Sequence, residues 1–307
     1  MRAARGSGAV SGTRGSGAVS GGVLSERPSW RRLWSDRVAT GVMFATVLIA
    51  LLPVLLIFYY IFREGLAVTN WEFLTQAPPF SYRREGGGYV NGLIGTLMMV
   101  GMATAVSVPL GILAAVYLVE YGGRNLLASL IRFFSDVMTG VPSVFVGLFV
   151  YTAFVVPFGF GALMGAVALS IIMLPIVVRS TEEMLKLVPQ EIKNASYALG
   201  AAKWQTVLRI VLPSALPGIT TGVLLAVARA AGETAPLILT AFGSITITTA
   251  LIGEPISALP LAIFDGARTP FAAGQARAWA GALELLAIVL VFTLLARVAA
   301  SRSSISR

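Results

Sequence analysis

Two ionisable residues, Arg229 and Glu233, stand inside the otherwise apolar stretch Gly218–Phe242. A charge at mid-bilayer depth costs about 2.5–3.5 kcal/mol on insertion scales, so such residues face a cavity or a partner rather than lipid. Four residues apart on a helix, they share a face and can pair, although acid C-terminal to base is the weaker order. One reading is a buried ion pair that fixes helix packing. The other is an anion route, in which Arg229 attracts an oxyanion, Glu233 positions it or gates, and the adjacent Thr234 lies on the same path. A guanidinium suits a phosphate-like oxyanion because its planar fork offers several donors and stays protonated. A single arginine does not distinguish phosphate from sulfate.

The local sequence, Arg229-Ala230-Ala231-Gly232-Glu233-Thr234-Ala235-Pro236, is otherwise small. Small side chains let a second helix or a ligand approach closely. Pro236 meets the carbonyl of Gly232 and removes one helical hydrogen bond, so a kink or opening is expected there. Exposed backbone at that depth is tolerated where protein or a water-filled cavity satisfies it.

Little else in the chain can do chemistry. There is no cysteine and no histidine, which removes disulfides, thiolate nucleophiles, Cys/His zinc sites and histidine acid–base catalysis. No Gly-x-x-x-x-Gly-Lys-Ser/Thr cradle for ATP phosphates occurs. No catalytic residue, metal site or cofactor of its own is expected. Arg132 and Asp136, four apart, read as a surface helix pair worth a few tenths of a kcal/mol. Glu284 reads as meeting an adjacent helix or snorkelling to the interface.

The elements that must position these residues are membrane spans. The 307 residues are 56% hydrophobic and 12% charged, with a mean hydropathy of +0.83, against about 25% charged in soluble domains. Too little polar surface remains to cover a water-soluble globule. About 20 apolar residues cross a bilayer as a helix. Val38–Phe62, Leu93–Val119, Val137–Pro157, Gly161–Val178, Gly218–Phe242 and Gly281–Leu295 meet or approach that length. The expected class is therefore an all-α membrane protein with about six transmembrane helices.

Six spans place both termini on one side. Seventeen basic residues then fall in the proposed cytoplasmic parts and five, Arg63, Arg83, Arg84, Arg268 and Arg277, in the outer loops, which fits the positive-inside rule. The net charge of +9 thus reads as membrane orientation rather than nucleic-acid binding. Residues 1–36 hold a Gly/Ser-rich repeat, Arg5–Gly12 and again Arg14–Gly21, expected to be a disordered cytoplasmic tail. Residues 37–90 hold the first span and an outer loop with Gly86-Gly87-Gly88 as a flexible stretch. Residues 91–297 form the core, and 298–307 a second cytoplasmic tail. Ala258–Phe264 is apolar but too short to span and is placed at the outer interface.

Between the fourth and fifth spans lies the long loop 179–216. Pro189 suits the first turn of a helix, and Glu191 its positive end. Ile192, Ala195, Leu199 and Ala202 recur at helical spacing and give one apolar face. Gly200 allows a bend. Trp204, Val207, Leu208 and Val211 form a second amphipathic run, ended by Pro213 and Pro217. Two short helices on the inner membrane surface, or a docking element for a cytoplasmic partner, both fit this pattern.

Asn194-Ala195-Ser196-Tyr197-Ala198-Leu199-Gly200, then nine residues, then Ile210-Val211-Leu212-Pro213 resembles the EAA loop of ABC importer permeases. The family's Glu is Asn194 here and its second Ala is Ser196, so a salt bridge from that position is not carried over. Arg229 to Pro236 is similar to the fifth span of phosphate transport system permeases. Arg132-Phe133-Phe134-Ser135-Asp136-Val137, with Gly140-Val141-Pro142-Ser143 and Val146-Gly147-Leu148-Phe149, resembles the same group. The Gly-Glu-Thr-Ala-Pro form is closer to the PstA type than to the PstC type. The likeness covers roughly Asn91 to Arg297.

The resemblance implies a type I ABC importer permease fold in a bacterial cytoplasmic (inner) membrane. It implies a homologous PstC-type permease, two ATPase subunits that hydrolyse ATP, an extracytoplasmic phosphate-binding protein and phosphate as cargo. It assigns ATPase coupling to Glu191, Asn194, Ala195, Ser196, Gly200, Ile210, Leu212 and Pro213. The alternatives are a permease for sulfate or molybdate, an ATP-independent channel or secondary transporter, and a membrane-embedded enzyme, which no constellation of residues supports.

Overall fold

The computed structural model describes residues 30–123 and 125–305. The repeat-bearing part of the N-terminal tail lies outside them. Two compact units are distinguished, Met1–Leu56 and Ile57–Arg307. The described part of the first is the beginning of α1 (Trp30–Val68), whose remainder belongs to the second. Helix therefore starts at Trp30, within the stretch assigned to the tail, because no Gly or Pro interrupts Trp30–Thr40.

The second unit continues with a short α2 (Trp71–Thr75), capped by the Asn70 carboxamide, and α3 (Val90–Val116). At its end α3 widens into a π-turn, Tyr117–Tyr121. α4 (Leu126–Gly140) and α5 (Ser143–Val150) follow, then a π-turn at Tyr151–Val155 and one turn of α6 (Val156–Phe158). α7 (Ala162–Lys186) leads to α8 (Gln190–Ala198). α9 (Lys203–Thr206), a third π-turn at Val207–Val211 and α10 (Leu212–Ala231) run on as one rod. α11 (Ala235–Thr240), α12 (Leu259–Ala267) and α13 (Ala272–Ile305) complete the set. Among the described residues, five helices are long and apolar enough to cross a membrane, and α4 with α5–α6 makes a sixth if that bent pair counts as one span.

The core is where α3, α7, α10 and α11 meet, around Met99, Ala103, Leu169, Met173, Ala226 and Leu237. In lipid the force between helices is close packing, which small residues permit. Gly111 and Gly165 show this: a Cβ on Gly111 would stand 2.7 Å from a Val177 methyl, and one on Gly165 2.3 Å from the Met99 sulfur.

Several expectations need correction. The stretch Val137–Pro157 is not one straight span: α4 and α5 are bent by 107°. The cause is Pro142, which holds the preceding Val141 extended at φ −74°, ψ 126° and ends α4 at Gly140. The fourth span continues to Lys186, so the connecting loop is shorter than 179–216. Pro213 and Pro217 do not end the second amphipathic run. The π-turn before them bonds Leu212 N–H to the Val207 carbonyl, and α10 then carries Pro213 in its first turn and Pro217 inside it. The last helix begins at Ala272 and runs through the segment assigned to the C-terminal tail. The short apolar stretch Ala258–Phe264 falls in α12, which is buried against the bundle through Leu259, Pro260 and Leu261.

The glycine triplet is also not slack. A Cβ on Gly88 would overlap the Phe73 backbone, and Gly86 and Gly87 have φ of +80° and +65°, which only glycine adopts without strain. Arg277 is buried and donates to the carbonyls of Tyr82, Arg84 and Gly86, pinning that loop from inside.

Candidate functional site

The apolar stretch containing Arg229 and Glu233 is not one helix. α10 stops at Ala231, Gly232–Thr234 form an open turn, and α11 restarts with Pro236 in its first turn. Gly232 and Glu233 N–H groups reach the Arg229 and Ala230 carbonyls at 3.1 and 3.2 Å, closing α10 with tight turns. The kink expected at Pro236 is thus a break beginning four residues earlier, as its clash with the Gly232 carbonyl requires.

Arg229 therefore lies in the last turn of α10, where a cation suits the helix's negative end, and Glu233 lies in the break. Their side chains meet once, Nε to Oε1 at 3.4 Å. The Arg229 side chain is 62% exposed and that of Glu233 15%. A single contact with so exposed a partner contributes little and does not lock the guanidinium. The packing role weighed for this pair is therefore weak.

Arg229 lines a cavity of about 100 Å³ whose other walls are Met138, Thr139, Val141, Ser143 and Val146 at the bend, with Ile172, Pro175 and Ile176 of α7. The motif at the third span and the motif at the fifth, far apart in sequence, thus face each other across one small space. Gly147 sits against the Pro236 backbone, its notional Cβ 2.7 Å from Pro236 Cα, so the bend and the break pack directly. The cavity offers the Arg229 cation and the Thr139 and Ser143 hydroxyls, a set able to receive a small oxyanion. Thr234 is half-buried in the break and is not among the cavity's walls.

The connecting loop is ordered around α8. Its predicted apolar face, Ile192, Ala195, Leu199 and Ala202, is exposed, and its buried residues are Lys193 and Ser196. Ser196 Oγ lies 2.9 Å from Thr206 Oγ1, joining α8 to α9. Gly200 takes φ +84° with nothing around it, so it is the left-handed residue that turns the chain out of α8. Glu191, Asn194 and Ala195 are exposed on α8; Ile210 lies in the π-turn, and Leu212 and Pro213 open α10. These eight residues share one region; among them Ser196 bonds α9 through Thr206, and Leu212 packs on the cluster of Leu185, Val188 and Val211.

Sequence reasoning missed the charges that hold this end together. Glu182, 1% exposed, receives Arg132 Nε at 3.0 Å, Arg179 at 3.0 Å and Lys186 Nζ at 2.8 Å. Arg179 also pairs with Asp136. Arg132 and Asp136 thus look outward to α7, not to each other. Spacings of three and four about Glu182 were the available signal. Lys193 Nζ pairs with Glu120 at 2.6 Å, both side chains nearly buried, a link between residues 73 apart that no local pattern announces. Near the far end of α3, a larger polar pocket of about 530 Å³ includes Tyr82, Asn91, Glu254 and Asp265. Burial, and then the Asp265 carboxylate, raise the Tyr82 hydroxyl above its ordinary range.

Residues 107–305 match the family model described as "Binding-protein-dependent transport system inner membrane component". The chain belongs to that family. This permease is 40% identical over 274 residues to the phosphate transport system permease protein PstA of Yersinia pestis, covering 89% of this chain and 92% of that one. It is 40% identical over 276 residues to PstA 1 of Mycobacterium tuberculosis strain H37Rv, covering 87% of each. Among solved structures, a bacterial alginate ABC transporter chain superposes with a TM-score of 0.59 at 15% identity, over 86% of this permease and 96% of that chain. The MetNI methionine transporter gives 0.52 at 20% identity, over 69% and 93%. At such identities these two likenesses speak to the fold alone, which is that of type I ABC importer permeases. The permease is a multi-pass inner-membrane protein.

Proposed function

We propose that this chain is the membrane permease subunit of an ATP-driven importer of inorganic phosphate, with both termini cytoplasmic. Its relatives named PstA support phosphate as the cargo. The observation that carries the reading is Arg229, a loosely held guanidinium at a helix break, facing the small cavity at the α4–α5 bend. It supplies permanent positive charge beside the Thr139 and Ser143 hydroxyls. Glu233 balances that charge between transport events and keeps the anion's stay brief.

ATP binds and is hydrolysed on two partner ATPase subunits, and no cofactor is bound by this chain. α8 docks on an ATPase through the exposed Ile192, Asn194, Ala195 and Leu199. A homologous PstC-type permease completes the passage, and an extracytoplasmic phosphate-binding protein delivers the anion. The basic residues of the α8 end favour the cytoplasm for that end.

Replacing Arg229 by Gln in the assembled transporter is expected to lower phosphate uptake at least ~10-fold, since a hydrogen bond to a charged group is worth about 1.5–3 kcal/mol. Co-purification of the other subunits stays unchanged. Full uptake by the variant would remove Arg229 from the path. Competition by sulfate and molybdate in the same assay separates the oxyanions: inhibition by sulfate equal to that by unlabelled phosphate would overturn phosphate as the cargo.

A further inference from the structure

The chain has three lysines, Lys186, Lys193 and Lys203, and the last two close on one five-residue segment, the π-turn Tyr117–Tyr121 at the end of α3. Lys193, from α8, pairs with Glu120 at 2.6 Å, with side-chain exposures of 8% and 6%. Lys203, opening α9, stands 4.8 Å from the centre of the Tyr121 ring. From the other direction, Arg132 of α4 donates to the Leu118 carbonyl at 3.0 Å while its Nε holds Glu182 of α7 at 3.0 Å. Both limbs of the α8–α9 loop and the first half of the bent span therefore grip the same turn.

A π-turn is a register fault in a helix, with a wider ring and poorer bonding than the α-helix around it, and it recurs at functional positions. Gly122 N–H bonds the Tyr117 carbonyl at 2.6 Å across this turn. A pull of one residue can exchange that register for the α register at small cost in hydrogen bonds, which is what a displaceable joint needs. The neutralised pair is buried, so separating it would leave a charge without a counterion, and the two groups travel together.

We infer that Lys193 is a positioning residue for energy coupling: its ion pair with Glu120 carries movement of α8 into the π-turn of α3, and Arg132 passes it to the bent span beside Arg229. The inference rests on the importer reading above. It adds a named joint, and an ordering in which the Glu182 cluster and the Glu120 pair act as two clamps on one segment. Lys203 steadies the same turn from its exposed side.

The test uses the complete transporter in proteoliposomes with its ATPase subunits and phosphate-loaded binding protein, measuring phosphate moved per ATP hydrolysed. Lys193→Met is expected to retain the ATPase subunits and their basal hydrolysis but to lower that ratio severalfold. Lys193→Arg is expected to keep it. The exchanged pair Lys193→Glu with Glu120→Lys is expected to restore most of the ratio lost in either single variant. An assembled Lys193→Met transporter with the wild-type ratio overturns the inference. Should the single variants fail to assemble, the exchanged pair decides: assembly restored without recovered coupling reduces the pair to a structural role and also overturns it. A wild-type complex whose hydrolysis never responds to phosphate-loaded binding protein instead refutes the importer reading itself.

Discussion

Glu284 is a buried carboxylate in α13 whose two oxygens have no hydrogen-bond partner among the described residues. A buried polar group without a partner costs about 1–3 kcal/mol, more if charged. Glu284→Met, which keeps the length of the side chain and removes that debt, is expected to raise the thermal midpoint of the detergent-purified chain by the equivalent of about 1–3 kcal/mol. A lowered midpoint would show that the carboxylate is satisfied. Arg229 and Glu233 were legible in sequence because a charge in an apolar run has no ordinary explanation. Arg277 was not: it looked like one more outer-loop cation, yet it is buried beneath the loop it pins. The difference is that burial of a loop arginine depends on carbonyls nearly two hundred residues away in sequence. Glu284 is intermediate. Its presence in a span was evident, but the adjacent-helix partner or the interface expected for it is not found among the described residues.

At the scale of elements, the bend and the break are one assembly. α11 packs on α5 through Gly147, with Pro236 at its centre. Gly147→Ala would drive a methyl into backbone, which cannot swing aside as a side chain can. The expected loss is about 1–3 kcal/mol of stability, read as a lower thermal midpoint, with weakened uptake because the cavity at the bend is displaced. Gly101→Ala is the matched control, since nothing lies within 4 Å of its notional Cβ. It should leave the midpoint unchanged or raise it by about 0.5–1 kcal/mol through helix propensity. Apolar length made the spans readable. Where a span stops or turns was less so, since a proline breaks one helix and passes unnoticed in another. Pro142 ended α4, whereas Pro213 and Pro217 lie within a continuing rod, as Pro109 lies within α3 and Pro175 within α7. Nothing in the residue types distinguishes these outcomes.

At the scale of the whole molecule, orientation can be tested cleanly because the chain has no cysteine. Leu199→Cys places a thiol at a position 89% exposed in the isolated chain. A membrane-impermeant maleimide is expected to label it in inverted vesicles and not in intact cells, and bound ATPase subunits should shield it. Labelling from outside intact cells would put α8 on the wrong side for any cytosolic motor. The helical, span-built architecture was legible from hydropathy. The direction faced by α8 was not, because its apolar stripe reads the same whether it meets lipid, its own bundle or another protein. If α8 docks as proposed, a copy made in excess of the ATPase subunits would leave Ile192 and Leu199 bare, and uncovered apolar surface of that kind makes a chain prone to aggregate and in need of chaperones. Supply of the other subunits then sets how many copies survive, so the abundance of this protein in the cell would follow theirs even where its own synthesis does not.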